Sequence, residues 1–191
     1  MPIDETTLHP SQRMIRLDDG RPTIVENRWT LVRDAAQATE RIAQGRPALE
    51  RAILPVDIYL GALDAHADLM LETGAWIPPE ADVESWATRL AGAPVIAVDF
   101  PSFRDGRGLS IGVMVRTRYG FKGELLAIGD VLRDQLEYMR RCGFDAFWVR
   151  ADKRVEDAIK GFSELSVRYQ GIVGDPTPSF RRRGDTIASG D

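Results

Sequence analysis

The chain has 191 residues and a formal net charge of −4, a length suited to one domain, or to one domain with an appended arm. Its sequence pI of about 5.3 argues against nucleic-acid partners, which call for a basic footprint; the one dense basic run is Arg181-Arg182-Arg183. No apolar run reaches the length of a membrane span and MPIDETTLHPSQR lacks an apolar signal core, so a cytoplasmic protein with no membrane partner is expected.

Residues 1–12 are polar, carry Pro2 and Pro10 and lack periodicity, the pattern of a flexible arm. Two short apolar stretches, Met14 to Leu17 and Thr23 to Val25, flank the turn signal Asp18-Asp19-Gly20 and predict a β-hairpin. Residues 34–44 are helix-permissive and stop at Gly45-Arg46-Pro47. These 13–52 residues read as an N-terminal hairpin and helix.

From residue 53 the pattern becomes regular. Apolar runs at 53–60, 75–77, 95–98, 124–128 and 146–149 predict five short strands. Helices are predicted over 63–72, 83–90 (with Asp82 as N-cap), 109–119, 131–141 and 155–165. Asp57 interrupts the first apolar run. The alternation implies an α/β core over 53–170, built from repeated βα units around a mainly parallel sheet. Near-continuous apolar strands such as Val95-Ile96-Ala97-Val98 suit a sheet covered on both faces. Either a partial (βα) barrel or an open doubly wound sheet satisfies the spacing, because closure depends on strand order. Residues 171–191, rich in polar residues after Pro176, read as a flexible tail.

Ligands of parallel α/β folds sit beyond the carboxyl ends of the strands, so the segments after Val98 and Ile128 hold the candidates. In Arg104-Asp105-Gly106-Arg107-Gly108, Gly106 and Gly108 free the backbone ahead of a helix N-terminus. Arg104 and Arg107 add two guanidinium forks, a combination that suits a small anionic ligand. The competing reading is a βα turn with solvated arginines and glycines needed for positive φ.

Asp99 directly follows a buried-type strand. It reads equally as a catalytic carboxylate at a strand end or as a turn-fixing acceptor before Pro101. Asp130 stands where a helix N-cap belongs, and capping is favoured there over acid–base chemistry. Asp134, four residues on and beside Arg133, could face the same cleft. Arg150 either binds an anion or, as favoured, pairs with Asp152 or Glu156 at the surface.

Cys142 is the single cysteine, so no intrachain disulfide forms and the four thiolates of an iron–sulfur cluster are out of reach of one chain. It precedes Gly143 at a helix end, where a buried, inert thiol is expected. His9 and His66 lack zinc spacing. No metal and no cofactor are therefore expected, and the assembly is expected to be a homo-oligomer. Trp76, Phe144, Phe147 and Trp148 read as core.

The stretch VIAVDFPSFRDGRGLS, followed by GELLAIGDVLRDQ and MRRCGFDAF, resembles the signature of an uncharacterised bacterial family, a domain of unknown function, over about residues 50–170. Members of that family occur beside genes for sirohaem-containing assimilatory sulfite or nitrite reductase, and some carry an oxidoreductase label. The resemblance implies an accessory role in reductive sulfate assimilation, with the reductase as partner. It supplies no catalytic residues, although Asp99, Arg104, Asp105, Arg107, Asp130, Arg133 and Asp134 all fall within its motifs. The alternative is an enzyme, with a flavin still conceivable despite the missing GxGxxG, that holds an oxyanion or phosphorylated molecule at the strand ends.

Overall fold

In the computed structural model of the chain, the described residues are 13–162 and 173. The arm read at 1–12, the end of the last helix at 163–165, and the tail apart from residue 173 lie outside them.

The hairpin forms as its turn chemistry requires. Strand β1 (Arg13–Asp18) and strand β2 (Arg21–Glu26) pair antiparallel around Asp19-Gly20, both at positive φ. A two-residue strand β3 (Thr30–Leu31) follows, then helix α1 (Ala35–Gln44), whose N-cap Asp34 accepts the Gln37 amide at 2.7 Å. A short helix α2 (Arg46–Leu49) precedes strand β4 (Ala52–Pro55).

Helix α3 (Val56–Leu63) starts at once after β4, which corrects the expected strand over 53–60. Asp57 is the acidic first-turn residue of that helix, not a break in a strand. The helix expected over 63–72 is instead a 3-10 segment, Ala67–Glu72. Strand β5 (Gly74–Ile77) leads to helix α4 (Val83–Trp86), capped by Asp82 through the Glu84 amide at 3.1 Å.

Strand β6 (Val95–Phe100) is buried at every position and is followed by helix α5 (Arg107–Thr117). Strand β7 (Glu124–Gly129) leads through a 3-10 turn (Arg133–Gln135) into helix α6 (Leu136–Arg141), which Gly143 ends at φ +100°. Strand β8 (Ala146–Phe147), helix α7 (Val155–Ala158) and a final 3-10 turn (Ile159–Phe162) complete the described chain.

All strands join one sheet in the order β2-β1-β8-β7-β6-β5-β4-β3. Strands β3 to β8 are parallel and adjacent in chain order, and only the hairpin is antiparallel, through β1 on β8. Every buried apolar helix side chain packs in the cluster that also takes Leu54, Ile77, Ile96, Val98, Phe100, Leu125 and Phe147. The alternate residues Ile53, Val95, Ala97, Leu126, Ile128, Ala146 and Trp148 form a second cluster with no helix in it. A doubly wound sheet would reverse its strand order and place helices on both faces. Sequential order with one-sided helices makes a curled half-barrel, and resolves the two topologies the spacing allowed.

The N-terminal rim of this half-barrel is tied by Arg116 of α5. Its guanidinium donates to the carbonyls of Gly143 (2.9 Å), Phe121 (2.7 Å) and Gly123 (2.9 Å), and it pairs with Asp145. Asp145 in turn accepts the Leu125 amide at 3.0 Å. On the concave face Trp29, just before β3, donates its indole N–H to Glu124 of β7 at 3.1 Å. That contact skips three strands and registers the curl of the sheet. Burial pushes the Glu124 carboxyl up, against the Trp29 hydrogen bond and Arg16. No helix among the described residues is long and apolar enough to cross a membrane.

Candidate site at the carboxyl ends of the strands

Side chains alternate along each strand, and the face carrying Val95 and Ala97 continues to Asp99. The same alternation takes Trp76 of β5 to that concave face and brings Arg33, two residues past the end of β3, to its mouth. There Arg33 grips Asp99 with both terminal nitrogens, Nη2 to Oδ1 at 2.8 Å and Nη1 to Oδ2 at 3.1 Å. Its guanidinium carbon lies 5.5 Å from the Trp76 ring centroid, a cation–π distance. The bridge crosses from β3 to β6 over two intervening strands. Arg33 keeps 41% of its side chain exposed and Asp99 only 10%.

Gly129 lets the ends of β6 and β7 close together. It sits at φ +94°, and a Cβ there would lie 2.4 Å from the Phe100 carbonyl oxygen and 2.8 Å from Asp99 Oδ1. The next residue, Asp130, donates its amide to that carbonyl at 2.7 Å. Its carboxylate does not cap the following helix; the N-cap position of the 3-10 turn is Leu132. The expected capping role is thereby corrected. Asp130 Oδ2 accepts the Phe103 amide at 2.9 Å and Oδ1 accepts from Arg150 Nη1 at 2.7 Å. Capping lost because the chain runs extended through Leu132 before turning, which leaves the carboxylate facing the neighbouring loop.

Gln135 completes the brace. Its amide nitrogen donates to the Phe103 carbonyl at 2.7 Å while its oxygen accepts the Leu132 amide at 3.3 Å. Both main-chain groups of Phe103 are thus held by side chains from the loop after β7, yet the residue remains 47% exposed.

In the loop after β6, Arg107 forks onto Asp105, Nη2 to Oδ2 at 2.6 Å and Nε to Oδ1 at 2.9 Å. That guanidinium holds the Asp105 carboxyl below its ordinary range; Arg107 is open to solvent, whereas Asp105 keeps only 16% of its side chain exposed. Gly106 and Gly108 both lie at negative φ, absent from the positive-φ glycines. The turn reading of these glycines therefore needs correction. Gly108 serves packing instead, since a Cβ would stand 2.7 Å from the Phe100 ring. Arg104 stacks beside Phe103 at 5.4 Å and has no carboxylate partner among the described residues.

Arg150 also pairs with Asp152, Nε to Oδ1 at 2.6 Å, the surface partner the sequence favoured. Asp134 is exposed and makes no hydrogen bond or ion pair among the described residues. Arg133 is exposed as well, with its carbonyl packed tightly against Gly161. Cys142 is buried and its thiol is pushed up by that burial, as expected of an inert cysteine. Among the described residues no group of three or more His, Cys, Asp or Glu could hold a metal ion.

The structure thus joins Asp99 to Arg33, and Asp130 to Arg150 and Phe103, while Arg107 keeps to its own loop. Sequence reasoning missed Arg33, Gln135 and the role of Phe103. Arg33 carried a usable signal: it stands between the short apolar pair Leu31-Val32 and the N-cap Asp34, the position of a strand-end residue in a βα unit.

A one-sided run of parallel βα units with its polar side chains gathered at the carboxyl rim defines the class of (βα) half-barrels. A model of a family described as a bacterial protein of unknown function, DUF934, matches residues 74–180, more than half of the chain, and the chain belongs to that family. No curated protein matches it.

Proposed function

We propose that this is a cytoplasmic accessory protein of reductive sulfate assimilation, working with sirohaem sulfite or nitrite reductase and contributing contacts rather than a redox centre. The reductase itself comes from the motif resemblance in residues 95–149. The observation that carries the choice of accessory over enzyme is the charge state of the carboxyl rim. Arg33, Arg107 and Arg150 are each already matched to a carboxylate, so at these three a new anion would have to displace an internal partner. What the rim offers outward is the braced, half-exposed Phe103. Such a surface suits protein contact better than capture of a small charged molecule.

The test uses the full chain and the purified reductase in titration calorimetry, together with growth of a deletion strain. A measurable complex, and slowed growth on sulfate that cysteine relieves, are expected. Absence of both would overturn the reading. Light scattering on the same preparation checks the expected homo-oligomer.

A second reading, an enzyme acting on an oxyanion or phosphorylated ligand, is favoured by one specific observation. Asp99 stands on the concave face at a strand end beside Arg33 and Trp76, the place catalytic carboxylates take in barrel enzymes. On that reading Asp99, Asp130 or Asp134 moves a proton, and Arg104, Arg107 and Arg133 with Gly106 and Gly108 hold the anion. Native mass spectrometry and the visible spectrum decide it. A co-purified phosphorylated molecule or flavin would favour the enzyme.

A further inference from the structure

Two kinds of exposed apolar side chain occur among the described residues. Leu71 (66% exposed) and Tyr138 (54%) sit on a 3-10 segment and on the outer face of α6, where single exposed apolar residues need no explanation. Phe103 differs in how its backbone is held. Its N–H goes to Asp130, 27 residues on, and its C=O takes a bond from Gln135, 32 residues on. The turn that carries Phe103 and Arg104 is closed by the Asp105 amide on the Ser102 carbonyl at 2.9 Å.

Main-chain groups at an exposed loop tip could be satisfied by water at no cost to the fold. Here two side chains from another βα loop fix them instead, and the ring they position is left in solvent. Holding an aromatic in place before binding removes the ordering cost that a mobile loop would incur. Aromatic and arginine side chains are the residue types that dominate binding energy at protein interfaces.

The charge beside the ring points the same way. Arg107 is neutralised by Asp105, Arg150 by Asp130 and Asp152, and Arg33 by Asp99. Arg104 alone of these rim arginines stacks on Phe103 without a carboxylate among the described residues. An unmatched cation beside three arginines already paired with carboxylates is complementary to an acidic surface.

The geometry points to the Phe103–Arg104 tip as a preorganised docking element that inserts its ring into an apolar pocket rimmed by carboxylates on a partner protein. Taking that partner to be the reductase rests on the function proposed above. The tip itself stands on the braced backbone and the unmatched charge.

The experiment titrates purified sirohaem sulfite reductase into the full-length protein and into Phe103→Ala, Arg104→Glu and Leu71→Ala. Phe103→Ala and Arg104→Glu should each weaken binding at least tenfold, with melting temperatures unchanged, and the Arg104→Glu loss should shrink as salt is raised. Leu71→Ala should bind like the unaltered chain. If the unaltered chain binds and both tip variants bind equally well, the tip is not the docking element although the accessory function stands. If the unaltered chain does not bind the reductase, that function falls, and the tip is tested in cells with a photo-crosslinking benzoyl-phenylalanine at position 103 or 71. One discrete hetero-adduct from 103 alone, lost on Arg104→Glu, keeps the docking element with another partner. No adduct, an adduct to a second copy of this chain, or one that survives Arg104→Glu overturns it.

Discussion

At the N-terminal rim of the sheet, Arg116 directs three of its hydrogen bonds to main-chain carbonyls and one to Asp145. At the carboxyl rim, the side-chain hydrogen bonds of Arg33, Arg107 and Arg150 go to carboxylates. The difference is one of exchangeability. The carbonyls of Phe121, Gly123 and Gly143 are gathered on this one guanidinium, so the Arg116 knot fixes where α5 meets the starts of β7 and β8. A guanidinium–carboxylate pair half open to water can trade one partner for another at small net cost. In (βα) architectures the first rim carries stability and the second carries function, and this chain distributes its arginines accordingly.

The comparison breaks most visibly at Arg116. Its side chain is only 12% exposed, and replacing it with alanine strands three carbonyls and leaves the Asp145 carboxylate with the Leu125 amide. Arg116→Ala should cost on the order of 4 kcal/mol and lower the melting temperature by about 10 °C, as read by urea and thermal denaturation. Arg116→Lys should recover only part of this, because an ammonium cannot span the fork. A loss below about 1 kcal/mol would show that the two rims do not differ in kind.

Next in size is the bridge across the mouth. Arg33→Ala leaves the nearly buried Asp99 without its partner and should cost about 2 kcal/mol, discounted for the exposed arginine. Adding Asp99→Asn should return part of that loss, and a double-mutant cycle should give a coupling near 1 kcal/mol. Zero coupling would mean that the curl of the sheet holds Arg33 there without help from Asp99.

Smaller still is Asp130→Ala, expected to cost about 1 kcal/mol in global stability while loosening one loop. Hydrogen exchange should speed up at the Phe103 amide and stay unchanged in β6 and β7. Uniform acceleration through the sheet would place Asp130 with the N-terminal knot instead of the exchangeable rim.

How legible these features were follows from their range along the chain. Strands β6 and β7 announce themselves because six consecutive residues of each pair in register, with all six of β6 and the central four of β7 buried. Asp82 and Asp34 cap helices that begin within three residues of them, and Asp82 was readable as a cap for that reason. Strand β3 has two residues, too few for any periodicity. Helix α3 was hidden because Val56 to Leu60 is apolar on every side but Asp57, and it is helical only because β4 stops at Pro55. Arg116 and Asp145 lie 29 residues apart, and Arg33 and Asp99 lie 66 apart. Nothing local encodes such pairs; they exist because the sheet curls. The loops holding Asp99 and Asp130 were found by topology alone, since strand ends must gather at one rim. The partner of each carboxylate was not, because several arginines of equal sequence merit compete for it.

The smallest effect tests the inner floor between the rims. Glu124 lies on the concave face with its carboxyl pushed up by burial, although Trp29 donates to it and Arg16 lies near. A carboxyl whose folded pKa exceeds its unfolded one takes up protons more readily in the folded state. Within the window from the folded value down to the ordinary glutamate range, lowering the pH therefore adds stability from this group, and raising the pH removes it. The carboxylates Asp105 and Asp152 are held down by Arg107 and Arg150 and act in the opposite sense, losing their contribution as acid protonates them. The whole-protein profile mixes the two, so the comparison must be with Glu124→Gln. Glutamine keeps an oxygen for the Trp29 indole and removes the ionisation. Glu124→Gln should be the more stable protein at neutral pH, and its advantage should shrink steadily as the pH falls toward the ordinary glutamate range. Parallel stability curves for the two proteins would show that Glu124 is solvated, and that the Trp29 contact leaves the floor of the half-barrel open to water.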